Sequence, residues 1–394
     1  MLDKQNPVLW QPVEKQAAQK NNVSSHPYWY QVLRAFCKDK LAVIGAGIMV
    51  FIVLFALVGP LFAVHTAEEM ELELGNISPR LSLYRLPSDT YLYLHPDYYF
   101  IRVSEDGHIL ERIRETSNDT VNRTKEFTID EHIVMVDYSF VAKAKAEGTT
   151  ATQKYAVYCD GAEIQVAKTV WNKTYILGSD SLGRDLFARI LEGAQVTLLI
   201  AVCSTLINTV IGILYGGISG YCGGRTDQVM MRIVEILSTL PVTLIVIMLM
   251  VVIGSGVLTL IIAMGIANWC TMARVVRGQV LSLKQREFIL SAVTVNASKA
   301  RILVHHLIPN IAASIVVCMT MLVPGAIFNE SFLSFIGLGV TTASWGTLVK
   351  DGLAGFRSFP YQVMFPAIAI CLTILSMNLI GNGLQAAVQQ YEER

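Results

Sequence analysis

Long apolar stretches constrain this chain more than any other feature of its 394 residues. A helix needs roughly 20 apolar residues to cross the hydrocarbon core of a bilayer. Only 16% of the residues are charged, against about 25% in an ordinary soluble domain. The sequence therefore predicts an all-α polytopic membrane protein with six transmembrane helices, at Leu41–Ala63, Ala194–Ser219, Val229–Ile253, Val257–Met272, Leu307–Asn329 and Gln362–Leu384.

One uncharged run is too long to be a single span. Residues 236–273 contain no charged side chain, and a helix of that length would extend about 57 Å at 1.5 Å per residue. The run must fold back, and Gly254–Gly256 is the natural turn. Pro241 and Pro324 lie within predicted spans and indicate kinks there. Ser331–Val349 is interrupted by glycines, which predicts a short re-entrant or surface helix and not a seventh span.

Basic residues predict the orientation, because Lys and Arg concentrate in cytoplasmic loops. The N-terminal 40 residues contain six basic side chains, and the loop Arg274–His306 contains six more with a single acid, Glu287. Four predicted spans separate the two regions, so both face the cytoplasm, as does the C-terminus. Residues 27–40 fit either an amphipathic helix in the membrane interface or a plain basic flank of the first span.

A long acidic block separates the first two spans. Residues 66–178 contain 12 Lys and Arg against 18 Asp and Glu. Alternating apolar runs surround Asp106-Gly107 and Asp160-Gly161, a pattern typical of β-hairpins. The predicted organisation is a cytoplasmic tail with an interfacial helix, a first transmembrane helix, an inserted extracytoplasmic domain of the α+β type, and a five-helix core whose cytoplasmic loop covers 274–310. Their respective ranges are 1–40, 41–65, 66–178 and 179–394.

The sequence contains none of the common catalytic motifs. A phosphate-binding P-loop, a His-Glu-x-x-His zinc motif, a Gly-x-Ser-x-Gly elbow and a Cys-x-x-Cys pair are all missing. His305 and His306 are adjacent, so on a helix they point about 100° apart and make a poor metal pair. Six of the seven cysteines lie in or beside apolar stretches, which excludes a disulfide scaffold. We therefore expect no catalytic residue, no metal site and no cofactor in this chain.

The segment Arg286–Asn310 is the most informative loop. Its apolar and polar residues can form a helix, a turn and a second helix that returns to the membrane near Pro309. Asn296 suits the turn, since Asn tolerates the left-handed backbone region better than most residues. From the residues alone, such a loop is either a docking surface for a cytoplasmic partner or a plain connector.

The same segment resembles the coupling loop of the inner-membrane permeases of ABC importers, in the version of dipeptide and oligopeptide importers. Three positions depart from the family pattern: Leu290 stands in place of Glu, Ser291 in place of Ala, and Asn296 in place of Gly. The residues that match are Arg286, Glu287, Phe288, Ala292, Ala297, Ile302, His306, Leu307, Pro309 and Asn310.

Two further motifs occur in the family's order and narrow the resemblance to the C-type subunit. The first is Leu177–Asp185 followed by Gly193-Ala194, and the second is Gly325–Gly339 followed by Ser344-Trp345-Gly346. The resemblance covers about 25–65 and 176–390 and leaves out most of the acidic block, which is much longer than the first outer loop usual in the family. It implies the six-helix permease fold of type I importers, in a bacterial inner membrane.

The resemblance also implies roles for individual residues. The loop would fit a groove on an ATP-hydrolysing subunit, with coupling residues Glu287, Ser291, Ala292, Asn296, Ala297, His306 and Pro309. Glu330 either lines the translocation path or braces the segment that follows it, and bracing is preferred. We expect Asp180, Arg184 and Asp185 to form a salt-bridge cluster at the outer mouth, in preference to a substrate site.

The partners that the resemblance implies are a second homologous permease, one or two cytoplasmic ATPases that bind ATP and magnesium, and an extracellular substrate-binding protein. We expect the outer block to dock that binding protein or to cap the pore. Importers of nickel, glutathione or other small solutes use the same permease type and remain alternatives. A membrane receptor with an outer sensing domain is a further alternative, but the sequence shows no cytoplasmic output domain.

Overall fold

The computed structural model describes residues 28–146, 148, 150 and 153–392. The predicted cytoplasmic tail lies outside the described residues up to position 27. The helices in chain order are α1 (Tyr28–Phe36), α2 (Lys40–Val58), α3 (Phe140–Ala146), α4 (Leu186–Cys222), α5 (Gly224–Ser238), α6 (Val242–Ile253), α7 (Val257–Leu283), α8 (Glu287–Thr294), α9 (Lys299–Arg301), α10 (Ile308–Asn310), α11 (Ala312–Phe335), α12 (Trp345–Leu353) and α13 (Tyr361–Glu392).

Five helices of the described chain, α2, α4, α7, α11 and α13, are long and apolar enough to cross a membrane. The predicted span Val229–Ile253 is wrong as a single helix, because α5 and α6 are bent by 83° at the break between them. Pro241 precedes α6 directly, and a proline has no N–H to continue the hydrogen bonds of a preceding helix. With 12 residues, α6 is about 18 Å long, shorter than the hydrocarbon core, so only the bent pair together could count as a sixth span.

Other predicted boundaries hold or move by a few turns. The turn at Gly254–Gly256 is confirmed, since α6 ends at Ile253 and α7 begins after Gly256. The fourth predicted span ends at Met272, whereas α7 continues to Leu283. Pro324 lies in the interior of α11, so the helix continues past this proline without a break. Helix α12 starts with a Ser344–Thr347 capping box and has only nine residues. It is therefore a short helix that does not span the membrane.

Ten strands of the described chain form the β domain, which we define as residues 80–171. They are β1 (Arg80–Arg85), β2 (Tyr91–Leu94), β3 (Phe100–Val103), β4 (Ile109–Arg112), β5 (Ser117–Asp119), β6 (Thr124–Ile129), β7 (His132–Asp137), β8 (Ala156–Cys159), β9 (Ala162–Glu163) and β10 (Val166–Trp171). Two five-stranded antiparallel sheets have the orders β10-β1-β2-β3-β4 and β5-β6-β7-β8-β9. Residues of both sheets contribute to one hydrophobic core.

The predicted hairpin around Asp106-Gly107 is confirmed, because β3 pairs with β4. The hairpin around Asp160-Gly161 is shorter than predicted. Strand β8 pairs there with the two residues of β9, and β10 crosses to the other sheet and pairs with β1 along Arg80–Tyr84. The pairing of β1 with β10 places Arg80 beside Trp171, so the β domain begins and ends at neighbouring points.

The helical frame is built around the contact of α4 with α7. A Cβ atom on Gly216 would lie 2.3 Å from the carbonyl oxygen of Ala273, and one on Gly212 would lie 2.5 Å from Met272 Cβ. Small residues permit this close approach of two membrane helices. Helix α1 packs through Val32 against the C-terminal part of α13, while Trp29 on the same helix is exposed. This two-faced helix fits the predicted interfacial position.

Candidate functional site

The loop 286–310, which we call the coupling loop, folds as a helix, a turn and a return to the membrane. Helix α8 ends at a turn in which Asn296 adopts the left-handed conformation, with φ of 57°. The N–H of Ala297 there donates to the carbonyl of Ala292 at 3.1 Å. The side chain of Ser298 caps α9. The turn predicted at Asn296 is therefore confirmed by its backbone conformation.

The return segment is a π-helix over Ile302–Leu307, followed by α10. Pro309 in α10 has no N–H to donate to the carbonyl four residues earlier, and the helix is widened in the turn before it. The side chain of Asn310 donates to the carbonyl of His306 at 2.6 Å. Both residues thus belong to the segment that joins the coupling loop to α11.

Helix α8 has two apolar faces. Ile289 and Ala292 are buried and share a hydrophobic cluster with Val276 and Val280 of α7 and with Leu307. Large apolar side chains on the other side and at the C-terminal end of the helix are exposed: Phe288, Leu290, Val293 and Val295. A helix with two apolar faces has one face against its own chain and one available for a partner.

The predicted coupling residues divide between these surfaces. Glu287, Ser291 and Asn296 are exposed, and the Ser291 hydroxyl donates to the carbonyl of Glu287 at 2.9 Å. Ala292 is buried against the frame, and Ala297 and His306 are partly buried. Leu290, at the family's Glu position, is 54% exposed. An apolar side chain is therefore presented where the family pattern places a charge.

An ion cluster lies where the β domain joins the helices, and we call it the junction cluster. Asp180 Oδ2 accepts from Arg184 Nε at 2.7 Å and from Arg189 Nη1 at 2.6 Å. Arg189 Nη2 also donates to Asp351 Oδ2 of α12 at 3.2 Å. Asp180 and Arg189 are both nearly fully buried. The cluster ties the start of α4 to α12.

The predicted membership of this cluster needs two corrections. Asp185 does not join it; its side chain accepts from the N–H of Phe187 at 3.0 Å and caps α4. Burial raises the pKa of the Asp185 carboxyl to about 6. Arg189 and Asp351 were missed by sequence analysis. Arg189 precedes the predicted span Ala194–Ser219, so a charge shortly before an apolar run was the available signal for it, whereas Asp351 lies 162 residues away.

Glu330 is fully buried within the chain. Its carboxylate accepts from Thr197 Oγ1 of α4 at 3.0 Å and from Ser334 Oγ of α11 at 2.8 Å. The same Thr197 hydroxyl oxygen accepts from the backbone N–H of Trp345, at the start of α12, at 3.3 Å. Glu330 therefore links α4, α11 and α12, and this geometry favours the bracing role over a position on an open path.

The β domain is bonded to the frame through a set of contacts that we call the seat. Gln362 Nε2 donates to Asn76 Oδ1 and to the carbonyl of Ser179, both at 2.9 Å. The Tyr361 hydroxyl lies 2.9 Å from the carbonyl oxygen of Ile77. These contacts connect the chain on both sides of the β domain with the first turn of α13.

An aromatic contact extends the seat into the β domain. His95 is buried and stacks on Tyr99 and on Phe359, with ring centroids 4.3 and 6.2 Å apart. Burial lowers the pKa of the His95 imidazole, against an opposing effect of Asp97. The neutral ring is therefore favoured in the folded seat.

His132, Cys159 and Asp160 bring three metal-ligating types together in the β domain. His132 Nδ1 and Asp160 Oδ2 are 2.6 Å apart, and Asp160 Oδ1 accepts from the N–H of Ile133 at 2.9 Å. Two ligands of one tetrahedral zinc ion lie about 3.3 Å apart, given metal–ligand distances near 2.0 Å. The 2.6 Å contact is instead a hydrogen bond. Both carboxylate oxygens of Asp160 are already bonded to the start of β7.

Two family models match the chain. One, described as "Binding-protein-dependent transport system inner membrane component", matches residues 208–391. The other, described as "N-terminal TM domain of oligopeptide transport permease C", matches residues 27–79. The coupling loop lies in the first range, and the whole β domain lies between the two.

Curated relatives are similar over a little more than half of the chain. The oligopeptide transport system permease protein OppC of Bacillus subtilis is 48% identical over 219 residues, which are 55% of this chain and 72% of that protein. OppC of Escherichia coli is 42% identical over 216 residues, 54% of this chain and 72% of that protein. A solved structure of the MetNI methionine ABC transporter, in an inward-facing conformation, has a TM-score of 0.42 at 16% identity and covers 50% of this chain and 95% of the solved chain. The motifs, the coupling loop and the relatives agree, and the chain belongs to the family of C-type permease subunits of oligopeptide and dipeptide transport systems.

Proposed function

We infer that this chain forms half of the translocation pore of an ATP-driven importer for dipeptides or oligopeptides. The names of its relatives support the peptide assignment. A second, homologous permease would supply the other half of the pore. The basic tail and coupling loop support a multi-pass arrangement with both termini in the cytoplasm and residues 66–178 outside.

One observation carries the proposal: α8 packs one apolar face on its own chain and exposes another. The exposed face suits a groove on a cytoplasmic ATPase. ATP and magnesium would be bound by that partner, and this chain would hold no cofactor. Its own residues would transmit movement of the ATPases into the membrane helices.

The β domain is proposed to meet the extracellular substrate-binding protein. The seat and the junction cluster hold it on α12 and α13, so a protein bound to the β domain would act directly on these helices. Capping of the pore is the second role considered. Nickel, glutathione or other small solutes are alternative substrates, because the binding protein sets the specificity.

Co-purification of the tagged chain from its native membrane in mild detergent tests the assembly. A second six-span permease and ATPases with Walker motifs are the expected partners. A chain that emerges alone, from membranes in which the ATPases are present, would contradict the importer and favour a receptor with an outer sensing domain.

Excision of the β domain tests its docking role. Because Arg80 and Trp171 are paired neighbours, residues 81–170 can be replaced by a short Gly/Ser linker while the seat is retained. We expect the variant to assemble with its ATPases and to bind the binding protein at least roughly tenfold more weakly. Unchanged affinity in an assembled complex would exclude docking by this domain and favour another role.

A further inference from the structure

We propose that Arg277 and Asp227 are positioning residues that carry the movement of the coupling loop from α7 to the broken helix α5–α6. The inference rests on the proposed function and adds to it a defined mechanical connection. It places the bend at residues 239–241, between α5 and α6, on the path of this movement.

The contact between the two residues is bidentate. Arg277 Nε donates to Asp227 Oδ1 at 2.5 Å, and Arg277 Nη2 donates to Asp227 Oδ2 at 2.6 Å. The Ser219 hydroxyl of α4 donates to the same Oδ1 at 2.5 Å. Asp227 is buried. Paired geometry of this kind fixes orientation as well as distance, so α4, α5 and α7 are held together at one end of α5.

The other end of α5 is held on α7 as well. Arg274 Nη2 donates to Ser238 Oγ, the last residue of α5, at 2.6 Å. Between the two ends, Val234 of α5 is buried in a cluster with Trp269 and Ala273 of α7. Helix α5 is therefore attached to α7 along its whole length and will move with it.

Helix α6 packs on the N-terminal half of α7, where Val246 shares a buried cluster with Leu260 and Met264. Of its 12 described residues, Val246 alone is buried, and Val251 and Val252 are strongly exposed. The helix follows a bend of 83° and is capped by Gly254, where an added Cβ atom would have open space within 4 Å. Because α5 and α6 contact different halves of α7, movement of the half that carries Arg277 reaches α5 directly and reaches α6 through the bend at residues 239–241.

The coupling loop reaches the same part of α7. Ile289 of α8 shares a hydrophobic cluster with Val276 and Val280, which lie within one turn of Arg277 on that helix. A push on α8 is thus delivered to α7 beside the Arg277–Asp227 contact. This ion pair is a direct polar connection between α7, which supports the loop, and α5.

The test uses the complete importer in liposomes, with its second permease, ATPases and binding protein. Arg277→Gln is compared with Arg232→Gln, a matched control whose ion pair with Glu235 is exposed on α5. We expect Arg277→Gln to lower the amount of peptide transported per ATP hydrolysed about tenfold, within the range of coupling between two sites. We expect the control to keep the ratio of the unaltered complex.

A second measurement separates transmission from folding. In the unaltered complex, ATP binding should change hydrogen–deuterium exchange at residues 239–254, and Arg277→Gln should abolish that change while the ATPases remain bound. Should Arg277→Gln fail to assemble, Arg277→Lys keeps the charge without the bidentate geometry, and it should assemble with a reduced transport ratio. The exchange of the two charges, Asp227→Arg with Arg277→Asp, should restore part of the ratio.

An unchanged ratio and an unchanged exchange response in assembled Arg277→Gln or Arg277→Lys would overturn the proposal. Failure of the unaltered chain to assemble with ATPases, or to transport peptide, would overturn the proposed function instead. The two failures are read from different samples, the variant and the unaltered complex.

Discussion

The β-domain junction and the coupling loop of this permease differ in which side chains are buried and which are exposed. At the junction of the β domain with α12 and α13, charged and polar groups are buried and bonded inside the chain, as in the contact of Asp180 with Arg189. At the coupling loop, large apolar side chains such as Leu290 are exposed. A buried ion pair is expensive to break once formed, whereas an exposed apolar face gains free energy only when a partner covers it.

We call the β-domain end closed, because its polar groups are bonded within the chain, and the coupling-loop end open, because its apolar side chains are exposed. The seat and junction cluster make the β domain a fixed part of this subunit. In the coupling loop, the backbone groups of the turn and the cap are hydrogen-bonded. The large apolar side chains of α8 remain exposed, as expected of a surface that another protein covers.

Removal of the Asp180 charge in the junction cluster should lower the stability of the folded chain more than any other change proposed below. In Asp180→Asn, the buried Arg189 keeps only Asp351 as an anionic partner among the described residues, and breaking one side of a buried pair destabilises by about 3–5 kcal/mol. Thermal unfolding of the purified chain in detergent measures the effect. Asp351→Asn is the control, since its side chain is 42% exposed, and it should lower the unfolding temperature less. Equal shifts in the two variants would contradict the assignment of Asp180 as the centre of the cluster.

A charge on the open face should affect binding and not stability. Leu290→Asp should weaken binding of the ATPase by about 2 kcal/mol or more, as expected for a residue central to an interface, because a carboxylate would be buried without a partner. Val166→Asp places the same charge on an exposed residue of the β domain and should leave binding unchanged. The test is the affinity of each variant for the purified ATPase, measured in detergent. A normal affinity in Leu290→Asp would show that this face of α8 is not the docking surface.

The turn of the coupling loop should tolerate Gly but not a β-branched residue. Asn296 has φ of 57°, a conformation that costs an ordinary side chain about 1–2 kcal/mol. Asn296→Val should therefore lower both thermal stability and ATPase affinity, while Asn296→Gly should retain both. Comparison of the two variants in the same assays tests the left-handed turn. Equal behaviour of Val and Gly would contradict it.

Acid should loosen the aromatic contact of His95 in the seat. Burial places the pKa of His95 below its ordinary value of 6.5, so the unfolded state binds the proton more readily than the folded state. The stabilisation by neutral His95 is present above about pH 6.5 and is lost as the pH falls through the lowered folded value. Hydrogen exchange at residues 74–79 and 359–362, corrected for intrinsic rates, should rise on acidification.

Two variants test whether His95 causes this acid response. His95→Phe keeps an aromatic ring beside Phe359 and should flatten the pH dependence. His108→Gln changes an exposed imidazole of the same domain and should retain it. Persistence of the full response in His95→Phe would assign the titration to another group.

Local chemistry made much of the fold predictable. Apolar runs located the long helices, Asp106-Gly107 located a hairpin, and the turn tolerance of Asn296 located the bend of the coupling loop. The family motifs then located the candidate coupling surface. Each of these signals lies within a few residues of the feature that it predicts.

Features that depend on distant partners were missed. Hydropathy does not detect a bend, so the break before Pro241 was predicted as a kink in one continuous span. The pairing of Arg189 with Asp351, and of β1 with β10, joins segments far apart in the chain. Asp185 was placed with the ions because of its charge, although its position before α4 makes it a cap.

The seat has a consequence for how the protein is made. The last strand of the β domain ends at Trp171, but the seat needs Tyr361 and Gln362, which are synthesised 190 and 191 residues later. At roughly 5–20 residues per second, the interval is about 10–40 s. The β domain has time to fold before its site on the frame exists, and α13, which follows every other described helix out of the ribosome, completes the attachment.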